Sequence, residues 1–128
     1  MATNATWTVV IYDKKVINPA VTDANGHAVA YVISDSAFWS AAKFSNIWAI
    51  QYGTSPSNNE VEFKDTTPHT AYDSSVLGDF NDFITRWDSA HLTQLQSDWD
   101  NDNVVEETAE QKINRLGAKP TSYTSSSV

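Results

Sequence analysis

The side chains that could do chemistry are three histidines, a set of closely spaced carboxylates and no thiol, since the chain has no cysteine. His27, His69 and His91 stand far apart, with no HExxH and no pair at metal-binding spacing. A metal site would have to be composite, completed by Asp or Glu brought near in space. Taken singly they read as a hairpin-flank His, a loop His and a helix-surface His. Asp98-x-Asp100-x-Asp102 offers oxygens in the spacing of the first half of a calcium loop. The second half fails, with Asn103 where such loops turn on Gly and Ala109 where they close on a bidentate Glu. Glu60, Glu62 and Asp65 are close enough in sequence for paired acid–base work, but an alternating Glu60/Glu62 pair reads more simply as the wet face of an edge strand. There is no G-x-S-x-G, and four glycines in the whole chain make a backbone phosphate cradle improbable. The expectation is no catalytic residue, no metal ligand set and no cofactor.

The aromatic residues carry more information. Trp7, Trp39, Trp48, Trp87 and Trp99 are many for 128 residues. Tryptophan and tyrosine favour interfaces because a large apolar ring carries a polar handle. Trp48 and Trp87 are expected in the core. Trp39, in a Ser/Ala segment, and Trp99, at a helix end among aspartates, are expected to touch a partner. A sugar-binding module also uses aromatic platforms beside Asp and Asn, but such modules are usually secreted and richer in glycine.

These residues must be positioned by one domain with a sizeable core: 41% of the chain is hydrophobic and fifteen residues are aromatic. The net charge of −8, with no basic cluster beyond Lys14-Lys15, disfavours direct contact with nucleic acid or an anionic membrane. A nucleic-acid-mimicking inhibitor would need its carboxylates dense on one face, whereas here they are spread through both halves. The opening residues have neither a basic nor an apolar leader segment, and no apolar run approaches a membrane span, so the reading is a soluble chain made in a cytoplasm.

The first third reads as β. Trp7, Val9 and Ile11 alternate with Thr8, Val10 and Tyr12, and Asn18-Pro19 interrupts any ladder. Asn25-Gly26, between 21–24 and 28–33, predicts a hairpin with a type I′ turn. A short helix is expected over 34–43, opened by Ser34 or Asp35, with Phe38, Ala41 and Ala42 on its apolar face. Strands follow at 47–52 and 60–64, separated by an exposed loop over 54–59. From Phe80 the apolar positions Phe83, Ile84, Trp87, Leu92, Leu95 and Trp99 recur at helical spacing, and Asp73, Asp79 and Asp82 sit at the start. Thr108 and Gln111 have capping-box spacing ahead of Ile113, Leu116 and Gly117. The prediction is an α+β fold: a small antiparallel sheet of four to five short strands, one long amphipathic helix, a short C-terminal helix and an extended polar tail. Residues 1–73 form the β-rich region, 74–118 the helical region packed on it, and 119–128 an extended arm.

Met1-Ala2-Thr3-Asn4 leading into Trp7-Thr8-Val9-Val10, the lack of cysteine, and the Asp/Asn/Ser/Thr-rich β region resemble small virion proteins of tailed bacteriophages, particularly those of marine hosts. The likeness covers the general architecture and about half the chain, and it transfers no functional residue. It implies an accessory structural role in the virion, such as capsid decoration or a tail, neck or fibre part, with other virion subunits as partners and a homo-oligomeric state. The chain is also similar in style to tail or fibre assembly chaperones, the alternative reading along with other protein-binding modules. On the virion reading the arm orders on a neighbour, and Lys119, Pro120 and Tyr123 join Trp39 and Trp99 as partner-binding residues.

Overall fold

Alternation of apolar residues builds the centre of the molecule. The computed structural model describes residues 6–53 and 59–125. All but Asn59 of the loop expected over 54–59, the opening pentapeptide and the last three residues of the arm lie outside the described residues. Five antiparallel strands, β1 (Thr6–Val10), β2 (Lys15–Thr22), β3 (Ala28–Val32), β4 (Ile47–Gly53) and β5 (Glu60–Phe63), form one sheet in the order β3-β2-β1-β4-β5. With long helix α3 (Asn81–Asn101) and short helix α4 (Ala109–Leu116), the fold is α+β as expected.

Strand β1 lies at the centre, and its alternation decides which face is buried. Trp7, Val9 and, beyond the strand, Ile11 point inward with Val16, Ile50 and Val61 from neighbouring strands. Helix α3 lays Phe83, Ile84 and Trp87 over them, and Phe80 fills in at its start. Burying one such side chain is worth about 1.5–3 kcal/mol. The rings lock edge-on: Trp7 meets Trp87 at 5.8 Å and 88°.

Local chemistry sets the turns. Lys14, at φ 57°, carries the tight β1–β2 turn, where Asp13 and Lys14 donate to Val10 and Ile11. The β2–β3 hairpin is where it was expected, but its turn is of another type. Among its loop residues only Gly26 has positive φ, and Asp23 pairs with His27 across it, while Asp23 Oδ1 accepts from Asn25 and His27 N–H. A three-residue loop with Gly in the left-handed position suits this geometry. Pro19 interrupts the ladder as expected: β2 runs on through it to Thr22, but its pairing with β3 breaks after Asn18 and resumes at Thr22 in a shifted register.

The helix expected over 34–43 is broken in two. Asp35 caps α1 (Ser36–Trp39), and after Ala41, in extended backbone, a 3-10 turn runs from Ala42 to Phe44. Asp73, read as belonging to the long helix, instead caps α2 (Ser74–Leu77). The capping box at Thr108 and Gln111 is formed in full, and Gly117, at φ 81°, ends α4.

Candidate functional site

The five strands have a second face. The register puts Thr8 beside Ile17 and Gln51, and Val10 beside Lys15 and Ala49. Ala30 and Val32 extend these rows on β3, and Glu60 and Glu62 on β5. Among the described residues no helix packs on this face. Val32 is 63% exposed and Tyr12, next beyond Val10 on the same side, 62%. Between Ile47 and Ala49 the pairing of β4 with β5 slips by one residue, and Trp48 is the extra one. A bulge turns one side chain out of alternation. Trp48 therefore leaves the core and stacks on Tyr12, with ring centroids 4.8 Å apart and 14° between planes.

Trp48 corrects the sequence reading: expected in the core, it is 46% exposed. Trp39, expected at a partner, is only 6% exposed, wedged among Phe38, Phe44 and Phe83, with Nε1 donating to the Ile33 carbonyl at 2.8 Å. Trp87 is fully buried as expected, and its Nε1 donates to the Val29 carbonyl on edge strand β3.

The other residues read as partner contacts are engaged within the chain. Trp99 Nε1 donates to the Gly117 carbonyl at 3.1 Å, and Lys112 lies over its ring, so Trp99 fastens α4 to the end of α3. Lys119 pairs with Asp100 at 2.9 Å, and the Pro120 carbonyl accepts from Gln96. Tyr123 packs against Trp87 and His91. Buried Asp88 accepts from both the N–H and the hydroxyl of Ser125, whose Oγ also accepts from buried Asn18. As far as Ser125 the arm runs back along its own domain.

The aspartates of the calcium-like run are spent elsewhere. Asp98 and Asp100 lie within α3 rather than in a loop; Asp98 accepts from Gln94, Asp100 pairs with Lys119, and Asp102 pairs with Arg115. Arg115 also holds Glu107, whose carboxyl is thereby lowered below its ordinary range. His91 stacks on Trp87 and takes a 2.7 Å hydrogen bond with the Tyr31 hydroxyl. Burial pushes its pKa down, against the opposing pull of Asp88 and Asp98. Burial also raises the Tyr31 and Tyr72 hydroxyls.

One cleft of about 370 Å³ opens between β5, the connection over 64–73 and α2, with Ile47, Val61, Phe63 and Leu77 in its wall. Its two charged lining residues are already engaged. Asp73 caps α2 through Ser75, which lowers its pKa, and Lys43 sits over the Phe44 ring. No helix among the described residues is long and apolar enough to cross a membrane.

The structure also gathers residues that the sequence separates. Val61 and Thr70 exchange backbone hydrogen bonds of 2.6 and 3.2 Å, which brings His69 beside Glu60 and Glu62. No spacing signal could have joined them, because the 64–70 connection has no periodicity. Comparison of the chain with protein-family models, curated proteins and solved structures finds no match.

Proposed function

We propose that this protein is a non-enzymatic structural component that works by packing its open sheet face against other protein subunits, a second copy of the chain first among them. The observation that carries the reading is the stacked Tyr12–Trp48 pair with Val32 on a face that bears no helix among the described residues. Exposed aromatics next to aliphatic strand residues are the usual anchors of protein contacts, and two sheets pack face to face about 10 Å apart. The expectation of an accessory virion part rests on the resemblance of the sequence to small phage proteins; an open sheet face suits assembly in many copies.

The arm takes a smaller part in this reading than the sequence suggested, because Tyr123 and Ser125 already have partners inside the domain. Light scattering over a concentration series tests the proposal. A discrete oligomer that Tyr12→Ser/Trp48→Ser reduces to monomer, with the melting temperature nearly kept, is the expected result. An oligomer indifferent to that pair, or a monomer at every concentration that binds no client, overturns it.

A further inference from the structure

Glu60 and Glu62 alternate along β5, so both carboxylates project from the same side of the strand. Like charges placed this way repel unless something stands between them. Among the described residues, the one ion pair that either makes is Glu60 with His69. Neither draws on a lysine or an arginine. His69 is not loosely tethered, because Thr70 is bonded to Val61 in both directions and fixes the backbone beside it. The donor atoms of Glu60, Glu62 and His69 all lie within 4.8 Å of one another.

We propose that these three side chains form a binding site for a divalent transition-metal ion, Zn²⁺ being the best match. Zn²⁺ takes imidazole nitrogen and carboxylate oxygen at about 2.0–2.2 Å, which sets neighbouring tetrahedral ligands about 3.4 Å apart. Modest side-chain rotations bring donors within 4.8 Å to that spacing. The mixed donor set selects the ion: imidazole favours zinc and its neighbours, whereas calcium and magnesium prefer all-oxygen shells. The two carboxylates neutralise the dication, and the dication removes their mutual repulsion. Three protein ligands leave a coordination position for water or for a donor from a docked neighbour. The other two histidines are placed differently. His91 is committed to Tyr31 and Trp87, and His27 has one carboxylate near it, that of Asp23 at 4.0 Å. The assignment stands whether or not the open face binds protein.

Calorimetric titration of the full chain with ZnCl₂ tests it, with NMR of the histidine rings identifying the ligand. One saturable equivalent is expected, with the His69 ring signals shifting as it fills. His69→Ala and Glu60→Gln/Glu62→Gln should each weaken binding at least about tenfold, since even residues that only support a ligand are worth about 10–100-fold. His27→Ala and Asp100→Asn should leave it unchanged. All these side chains are at least partly exposed, so the variants should fold as wild type does, and an unchanged melting curve without metal checks this. Absence of saturable binding, binding that survives both ligand variants, or calcium binding as tightly as zinc would each overturn the site.

Discussion

The two faces of one sheet follow the same alternation and end in opposite conditions. On the inner face Trp7, Val9, Val16, Ile50 and Val61 are buried in one cluster with Phe83, Ile84 and Trp87 of α3, and almost every large side chain is sealed. On the outer face Val10, Ile17 and Val32 stand in the same ladders, yet no helix covers them among the described residues. Ring chemistry separates the faces as well. Inner rings form a network of edge-on, tilted and stacked contacts in which each touches several others, as Trp87 touches Trp7, Tyr31, His91 and Tyr123. The outer pair Tyr12–Trp48 is one isolated stack. Apolar residues on a strand therefore do not by themselves mark a core. The helix that arrives later in the chain decides which face becomes one.

The contrast is broken most directly by emptying the inner face. Trp87→Ala should cost about 3–5 kcal/mol, as large core truncations do, and should lower the urea midpoint severely. An effect no larger than that of Trp48→Ala would mean that the inner face is not the core. Next comes the latch beneath α3. Asp88→Ala leaves the Ser125 N–H and hydroxyl short of a partner and should cost about 1–3 kcal/mol. Hydrogen exchange should then show residues 119–125 released while the sheet stays protected; if the sheet opens with them, the tail belongs to the core.

Thr108→Ala should cost about 1 kcal/mol by removing the capping box, with the effect confined to α4 in hydrogen exchange. A smaller, pH-dependent effect comes from His91. Its folded pKa lies below the free value, so the folded state favours the neutral ring. Its contribution is complete above the unfolded pKa of about 6.5 and is lost as pH falls from there towards the folded value. His91→Gln should flatten that part of the melting temperature–pH profile; an unchanged profile would assign the slope to carboxylates. The smallest stability effect is expected from Trp48→Ala, within about 0.5 kcal/mol as for most surface changes.

Much of this fold was legible. The Trp7-Val9-Ile11 alternation, the Asn25-Gly26 hairpin, the Phe83–Trp87 stripe and the Thr108–Gln111 cap are local signals, and each has its element. Less legible was whatever depends on a neighbouring strand. Trp48 looks like a core residue until β5 is laid beside it and the register slips. Strand β2 begins at Lys15 because Lys14 adopts left-handed backbone, which its residue type gives no reason to expect. The docking of Ser125 on Asp88, and of His69 beside Glu60 and Glu62, joins polar residues with no periodicity to betray them.

The bulge at Trp48 has a consequence for how this protein can change. It is an insertion of one residue that the ladder has absorbed, since Ile47 pairs with Phe63 just beyond it and the strand continues in order. Whatever occupies position 48 hangs outside the packing that the rest of β4 must satisfy. The residue there can therefore be exchanged to suit a new neighbour at little cost to the packing of the fold.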